Sequence, residues 1–379
     1  MQAELTLSRV EVCLLIFLCL STSAYAMDEI VKDFEQFCDQ CHGANTYSGA
    51  PSRKALLREP LEHGATVPEL IAAIDGGIPA HESVSGLAFE RVRGLAIYIA
   101  EERYARQLRS TSPAAPGEIF STEKHAVRAE LLTDRLAARP FSIQPMPDGS
   151  FLVTEKTRGL RLVRKGGDIS RLVEGTPAVF ADPGKGGWGH GWLLDVALHP
   201  NYENNHWIYL HHTRRCAGCS PPASINRVVR GRIRDGRWVD EQEIWFPGSE
   251  FYSPLPDVAA GGRLAFDDAG FLYFSVGMKG ENEYDDARDP TVPWGKIHRV
   301  YDDGRVPADN PSFSSNAAYP TTWSIGHRNP QGLEYSYSRG ELWSTEMGPR
   351  GGDELNRIVR GGDYGWPVHS HGVDYNGLS

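Results

Sequence analysis

The sequence predicts a multidomain chain, a small all-α domain followed by an all-β domain of the β-propeller class. Two observations predict this organisation. The stretch at 87–107 has the apolar spacing of a strong amphipathic helix. Beyond residue 128, a turn followed by a short strand rich in aromatic and β-branched residues recurs four times, in a chain with 40 glycines and 25 prolines. At 379 residues the chain is long enough for two or three domains.

The overall composition is that of an ordinary globular protein. Hydrophobic residues make up 40% of the chain and charged residues 23%. The formal net charge of −10 argues against nucleic acid as a partner, because phosphate binding requires a basic surface.

Residues 1–26 predict a cleavable signal peptide. An apolar run ends in Ala-Tyr-Ala at 24–26, which is the small-x-small pattern of a cleavage site, and the run is short for a membrane span. Arg9 is the only strong cation before it, so a retained N-terminal anchor is the alternative. We therefore expect export to the periplasm and no membrane span in the mature chain.

Two cysteines and a histidine lie close together in the stretch FCDQCHGANT, as Cys38-x-x-Cys41-His42. Thiols at this spacing can add to the two vinyl groups of a haem, and the next histidine then becomes the proximal iron ligand. With a helix on either side, residues 27–108 resemble a small class I cytochrome c. The resemblance implies covalent haem c, and the alternatives are a plain disulfide or a chance match.

The sixth ligand of that iron is open. Small cytochromes c supply a methionine from the stretch that here reads DGGIPAHES, where Ile78 takes its place. His81 follows three residues later and would give bis-histidine iron with a lower potential. His63 is a second candidate, and five-coordinate iron with a solvated His81 is the third alternative.

Residues 109–127 are rich in serine, proline and small residues and predict a linker. The four repeats then start strands near residues 151, 207, 271 and 341. This period fits the four-stranded blades of a propeller. A β-sandwich is the alternative, although a sandwich does not require such self-similarity.

Several blocks of residues 128–379 occur in a characteristic order, among them WLLDVALHP, GGRLAFDDAGFLYFSVG, WSIGHRNPQGLEY and EMGPRGGDELNRIVRGGDYGWP. They resemble the soluble quinoprotein glucose/sorbosone dehydrogenase family. The resemblance implies a six-bladed propeller that oxidises aldoses at C1 with pyrroloquinoline quinone (PQQ) and calcium. Since only four blade-like units are found, we expect a truncated chain that lacks the closing blades and their quinone-binding basic residues.

The resemblance implies roles for two short motifs. Arg328 and Asn329 match the R-N-P-Q-G motif whose Arg and Asn contact the quinone. Arg328 would be a fixed bidentate donor to developing negative charge, unless it forms a structural ion pair. Gly348 and Pro349 match the pair whose main-chain carbonyls bind calcium, and a simple tight turn is the alternative.

The catalytic base of the family is absent from its expected place. The family reads His-x-Gly-Gly-Arg, whereas this chain has Ala259 at the histidine position. His190 stands where the family usually has a glutamine beside the quinone, and imidazole titrates near neutral pH. We therefore expect either that His190 is a relocated base or that the domain has lost sugar oxidation. Met347, in place of a histidine common in bacterial members, is a further departure.

Two other features have ordinary explanations. Cys216 and Cys219 are not followed by a histidine, as haem attachment would require. No second pair of cysteines or histidines lies nearby in the sequence to complete a zinc site, so a disulfide that closes the loop is expected. The acidic stretch EYDDARD (283–289) predicts a solvated loop, with a second calcium site as the alternative.

Taken together, the sequence predicts an exported haem c quinoprotein. It would oxidise a sugar and pass electrons through the haem to a respiratory acceptor, with the haem kept close to the quinone by the linker. The alternatives are a diverged propeller that binds a ligand or partner on a cytochrome c, and a haem sensor or carrier without quinone.

Overall fold

The structure is a computed structural model, and it describes residues 32–39, 42, 56–57, 60–61, 64–75, 84, 86–110, 117–136, 140–180, 189–279, 285–313, 318–349 and 351–372. The chain divides into two compact units. The first, called the helical unit, is Met1–Ala115 with Gly348–Gly352 and His371–Ser379. The second, called the sheet unit, is Pro116–Met347 with Asp353–Ser370.

The helical unit has an apolar core of its own. Its described helices are a π-helical turn at Glu35–Asp39, α1 at Val67–Asp75 and α2 at Phe89–Ser110. The helix predicted at 87–107 is thus confirmed as α2. Val92, Leu95 and Ile99 are at most 1% exposed and form its buried face, as helical spacing requires. Phe34 packs edge-on against Tyr98, with ring centroids 5.2 Å apart. In the described residues, no helix is long and apolar enough to cross a bilayer.

The predicted linker contains a small hairpin that the sequence analysis missed. β1 (Ile119–Ser121) pairs antiparallel with β2 (Ala126–Arg128), and α2 extends to Ser110. The turn closes because the N–H of Thr122 donates to the carbonyl of His125 at 2.7 Å and the Thr122 hydroxyl accepts from the His125 N–H at 3.0 Å. Strands of three residues are too short for periodicity to identify. The linker at 109–127 stays a prediction.

The sheet unit consists mainly of four consecutive antiparallel sheets of propeller type. They are β3 (Pro140–Pro145), β4 (Phe151–Glu155) and β5 (Gly159–Val163); β6 (Leu193–Leu198), β7 (Ile208–Arg215), β8 (Ser224–Arg234) and β9 (Arg237–Trp245); β10 (Gly261–Phe266), β11 (Leu272–Val276), β12 (Lys296–Val300) and β13 (Thr322–Ser324); and β14 (Pro330–Ser336), β15 (Glu341–Glu346) and β16 (Glu354–Ile358). A short helix, α3 (Tyr202–Asn205), precedes β7. The four predicted strand starts are those of β4, β7, β11 and β15, each the second strand of its sheet.

Aspartate and glycine set the turns that define these strands. The Asp148 carboxylate accepts from the Ser150 N–H at 2.9 Å, and Gly149 has φ +80°, which an L side chain rarely adopts. The same arrangement recurs before β11, where the Asp267 carboxylate accepts from the Ala269 N–H at 3.0 Å and Gly270 has φ +83°. These turns fix the register of the strands that follow.

Consecutive sheets pack face to face. Between the second and third sheets, the ring of Trp245 lies 4.9 Å from that of Phe274, and Tyr209 lies 5.0 Å from Phe266. The first strands β6, β10 and β14 contact one another in order. The chain segments just before these first strands are therefore brought together, and the candidate site is built from them.

Substitution of Ile297 by valine tests the packing between the third and fourth sheets. Ile297 is fully buried on β12 in a cluster with Tyr273 and Leu333. Loss of one methylene from a full core is expected to lower the free energy of unfolding by about 1 kcal/mol in denaturant titrations. The matched control is Val306→Ala at a position that is 44% exposed. An effect of Ile297→Val no larger than that of the control would contradict this packing.

The predicted disulfide is confirmed. Cys216 and Cys219 are bonded in the exposed loop between β7 and β8. The Cys216 N–H donates to the carbonyl of Ala223 at 2.9 Å, so the disulfide closes a loop whose base is already hydrogen-bonded.

Candidate functional site

Four short segments of the sheet unit form the candidate site. Residues 189–191, 257–261 and 327–329 precede or begin the first strands β6, β10 and β14, and residues 277–279 follow β11. Main-chain hydrogen bonds join them directly. The Asp257 N–H donates to the Gly189 carbonyl at 2.9 Å, and the Met278 N–H donates to the Arg328 carbonyl at 2.7 Å. The side chain of Lys279, next to Met278, joins the two pairs through Asp257 at 2.5 Å. The segments that carry the predicted residues His190 and Arg328 therefore belong to one connected network.

Arg328 is 7% exposed and held in a fixed orientation. Its Nη1 donates to the main-chain carbonyl of Met347 at 3.0 Å, and its guanidinium carbon lies 5.3 Å from the ring centroid of Trp366. Its main-chain N–H donates to the carboxylate of Glu346. A buried, planar cation fixed in this way suits recognition of a planar acidic ligand.

Glu346 also fixes the residue before Arg328. Its Oε2 lies 2.9 Å from Nδ1 of His327, whose Nε2 lies 2.8 Å from the hydroxyl of Ser324. The His327 ring stacks on Tyr364 with centroids 4.6 Å apart. One buried carboxylate thus holds Arg328, the first residue of the R-N-P-Q-G motif, and His327, the residue that precedes the motif.

Asn329 connects this segment to the turn before β10. Its Oδ1 accepts from the N–H of Gly261 at 3.1 Å, and its Nδ2 donates to the carbonyl of Val258 at 3.4 Å. Nδ2 also lies 3.7 Å from the sulfur of Met347. The Asn329 side chain therefore positions the 258–261 segment. Its predicted quinone contact stays a prediction.

His190 is partly buried and has a defined tautomer. Its Nε2 lies 2.9 Å from the carbonyl oxygen of Pro254. A carbonyl can only accept, so Nε2 carries the hydrogen, and in the neutral ring Nδ1 is the acceptor. Nδ1 is the nitrogen that could take a proton from a ligand.

Ala259, at the family's histidine position, ends a 3₁₀ turn at Asp257–Ala259. Its methyl group cannot accept a proton. Gly262 follows with φ +95°, and a Cβ there would lie 2.9 Å from Cβ of Leu194 on β6. The close approach of β10 to β6 therefore requires glycine and fixes the position of the turn.

A fully buried ion pair lies beneath this turn. Lys279 Nζ donates to Asp257 Oδ1 at 2.5 Å, and both side chains are 0% exposed. Asp257 Oδ1 also accepts from the Ser224 hydroxyl at 2.7 Å, while Oδ2 accepts from the Gly191 N–H at 2.7 Å and from the Thr213 hydroxyl. Burial lowers the pKa of Lys279, and the charge of Asp257 opposes this shift. The Asp257 carboxylate is fully buried and accepts from four donors, so it is engaged in holding the protein together and does not reach a ligand.

Gly348 and Pro349 directly follow β15 and Met347. A Cβ at Gly348 would lie 2.1 Å from the carbonyl oxygen of Gly351, so this turn requires glycine. Among the described residues, no group of three or more His, Cys, Asp or Glu side chains could hold a metal ion. A calcium ion here would depend on main-chain carbonyls, which are oxygen ligands of the kind it takes.

The described part of the acidic loop is held by a lysine. Lys296 is fully buried, and its Nζ donates to the carbonyls of Asp286, Ala287 and Trp294 at 2.9, 3.0 and 2.5 Å. Burial lowers the pKa of Lys296 to about 7. Because an ammonium group already engages these three carbonyls, they do not favour a second calcium site.

The predicted haem residues are only partly described. Cys38 is 8% exposed in the apolar core of the helical unit, which also contains Phe34 and Leu70, and His42 is partly exposed. Cys41, His63 and His81 lie outside the described residues, as does the predicted signal peptide.

Comparison with known proteins identifies the family of the chain. A model of the glucose/sorbosone dehydrogenase family matches residues 137–379, so the chain belongs to this family. The aldose sugar dehydrogenase YliI of Escherichia coli is 33% identical over 259 residues, which cover 66% of this chain and 65% of that protein. The quinoprotein glucose dehydrogenase B of Acinetobacter calcoaceticus is 27% identical over 276 residues, covering 67% and 55%.

Solved structures agree with this assignment. The apo-form of the soluble aldose sugar dehydrogenase of Escherichia coli superposes with a TM-score of 0.57 at 31% identity, covering 66% of this chain and 69% of that one. The sheets described above therefore have the propeller-like architecture of these dehydrogenases. The chain spans about 65% of the length of YliI.

Sequence reasoning missed several residues of the cluster, above all Asp257, Lys279 and Glu346. A signal was present for Lys279, because it follows the end of β11 at Val276 and the apolar residues 277–278, where a charged residue is unexpected. No local pattern pairs it with an aspartate 22 positions earlier.

Proposed function

We propose that this chain is an exported quinoprotein oxidoreductase that oxidises an aldose at C1 with PQQ and calcium. Electrons then pass through haem c to a respiratory acceptor. The family membership, and the activities after which YliI and glucose dehydrogenase B are named, support the sugar and quinone parts. The observation that carries the proposal is the buried guanidinium of Arg328 in a cluster with His190.

The residues present fit the proposed cofactors by their chemistry. Arg328 offers a planar buried cation for an acidic planar quinone, and the carbonyls of Gly348 and Pro349 offer hard oxygen ligands for calcium. A bound quinone with its calcium ion would supply the hydride acceptor for the sugar. Arg328 stabilises negative charge that develops on the acceptor, and the protein atoms that fix it limit reorganisation during the reaction.

His190 is the proposed base. Pro254 fixes the Nε2–H tautomer, which leaves Nδ1 to accept the proton of the C1 hydroxyl. The base would thus come from the segment before β6 and not from Ala259 before β10. In this proposal the loss of the family's histidine moves the base without removing general-base chemistry.

The helical unit is the proposed haem carrier. Cys38 lies in an apolar core, the environment that a porphyrin requires, and His42 follows at the spacing of a proximal ligand. Cys41 would be the second thioether, and His81 is the proposed sixth ligand. Residues 27–108 would form this domain, joined to the propeller at 128–379 by the segment 109–127.

Export to the periplasm is the proposed location. The signal-peptide pattern at 1–26 supports it, and the exposed disulfide between Cys216 and Cys219 suits an oxidising compartment.

The alanine at position 259, where the family has a histidine, favours one competing function without sugar oxidation. With no proton acceptor at that position, the propeller would serve as a ligand-binding or partner-binding module on a cytochrome c electron carrier. The two functions differ in a single observable, which is whether aldose delivers electrons to the haem.

The test is to reconstitute the haem-loaded protein with PQQ and calcium and add an aldose. We expect the absorbance bands of ferrous cytochrome c to appear only when all three are present. The control is the double variant C38S/C41S, which removes both predicted thioethers and is expected to lose covalent haem in a denaturing gel but to keep aldose oxidation with an artificial acceptor. Cys216→Ser is the matched cysteine variant and should keep its haem. Absence of aldose-dependent haem reduction would support the binding-module function.

A further inference from the structure

We infer that Asp257, charge-matched by Lys279, is the positioning residue that orients His190 for proton transfer. The inference rests on the proposed function and adds to it a second pair of residues. Neither Asp257 nor Lys279 is expected to contact the sugar, because both side chains are 0% exposed.

Asp257 holds the main chain on both sides of His190. Its N–H donates to the carbonyl of Gly189 at 2.9 Å, and its Oδ2 accepts from the N–H of Gly191 at 2.7 Å. The peptide groups that flank His190 are therefore tied to a single residue. With the backbone fixed at both sides, the imidazole keeps one position relative to its neighbours.

The same segment also fixes the imidazole ring. Pro254, three residues before Asp257, accepts from Nε2 of His190 at 2.9 Å. The ring and its backbone thus both depend on the position of residues 254–257. Movement of this segment would displace the Pro254 carbonyl. Nε2 of His190 would then lose its acceptor, and the hydrogen could lie on either ring nitrogen.

Lys279 anchors Asp257 from the opposite side. Its Nζ has three acceptors, which are Asp257 Oδ1 at 2.5 Å, the Ser224 carbonyl at 3.1 Å and the Ser224 hydroxyl. Lys279 also follows Met278, whose N–H donates to the carbonyl of Arg328. The pair therefore connects the base segment to the segment of the quinone-binding cation.

Two double variants that replace both Asp257 and Lys279 with uncharged residues separate the positioning of His190 from the balance of the two buried charges. Each replaces the buried pair without leaving a charge alone, so both are expected to fold. D257N/K279M keeps an oxygen that can accept from the Gly191 N–H, whereas D257L/K279M has none. If D257L/K279M does not fold, D257A/K279M makes the same comparison. The control is E155Q/R161M, which removes a different buried ion pair in the first sheet, with Glu155 1% and Arg161 11% exposed.

The first readout is the tautomer of His190 by ¹⁵N NMR in the cofactor-free protein. We expect a single Nε2–H tautomer in the parent, in D257N/K279M and in the control, and a mixture in D257L/K279M. The second readout is steady-state aldose oxidation with PQQ and calcium. We expect kcat to fall about tenfold in D257N/K279M and about a hundredfold in D257L/K279M, with KM nearly constant.

Equal kcat in the two folded double variants, or an unchanged tautomer in D257L/K279M, would overturn the positioning role. The two readouts also separate this inference from the proposed function. If the tautomer responds as expected but the parent oxidises no aldose, the positioning role stands and the proposed function fails.

Discussion

Acidification from pH 7 to pH 4.5 is expected to remove most of the stability of the sheet unit. Three of its histidines, His211, His212 and His298, are at most 3% exposed in the described core. Burial lowers the pKa of each to about 3. For His212, the positive charge of Arg227 adds to the effect of burial.

The direction in which stability changes with pH follows from the number of protons that the folded and unfolded states bind. In the unfolded chain a histidine has a pKa of about 6.5, so between pH 6.5 and 3 the unfolded state binds protons that the folded state does not. The free energy of unfolding therefore falls as pH falls through 6.5, by about 1.4 kcal/mol per pH unit for each histidine. At pH 4.5 this is about 2.7 kcal/mol for each and about 8 kcal/mol for three, comparable with the whole stability of a domain.

Other buried groups modify this slope only in part. Burial raises the pKa of Asp195, so the folded state binds that proton first and its contribution has the opposite sign at low pH. Lys296, with a pKa of about 7, is mostly protonated in both states below pH 7 and changes the slope little there.

Urea titrations followed by tryptophan fluorescence at several pH values measure this effect. His298→Gln removes one of the three titrating groups and is expected to reduce the slope of the free energy of unfolding against pH by about one third. The variant should stay folded, because glutamine can still donate to the Pro293 carbonyl and accept from the Thr321 hydroxyl as His298 does. His125→Gln, at an exposed position in the β1–β2 hairpin, should leave the slope unchanged. A free energy of unfolding that is independent of pH between 6.5 and 4.5 would show that these histidines are not buried as neutral groups.

The strands were predictable because their determinants are local. The Asp148 and Gly149 turn before β4 and the Asp267 and Gly270 turn before β11 are visible in the sequence, as is the alternation that follows each of them. The predicted strand starts accordingly lie within one residue of the observed ones. The β1–β2 hairpin was missed because three residues do not establish a period.

The candidate site was predictable only where a single segment carries it. Arg328 and Asn329 lie in one motif, and the structure places both in the cluster. The pairing of Asp257 with Lys279 depends on how β10 and β11 lie against the segment before β6, and no local pattern encodes that. Lysine and aspartate are usually solvated, so the sequence gives no reason to bury Asp257, and the apolar stretch before Lys279 gives no indication of its partner.

The largest expected catalytic effect is that of replacing Arg328. Arg328→Gln removes the buried cation from the candidate site while Glu346 keeps its hydrogen bond to the main-chain N–H of residue 328. If the proposed function is correct, kcat for aldose oxidation is expected to fall by about 10²- to 10³-fold, which is about 3 to 4 kcal/mol of transition-state stabilisation. The assay uses PQQ, calcium and an artificial acceptor, so that the haem plays no part in the result.

Arg328→Lys and Arg339→Gln make the result specific. Lysine keeps the charge but lacks the planar fork that donates to the Met347 carbonyl, so an intermediate loss is expected. Arg339 is exposed in the turn before β15, and its replacement should leave kcat unchanged. Thermal unfolding must show that all three variants are folded, and quinone binding is followed separately by fluorescence quenching. A folded Arg328→Gln protein that binds quinone and turns over like the parent would show that Arg328 has only a structural role, because a cation that stabilises developing charge cannot be removed without a loss of rate.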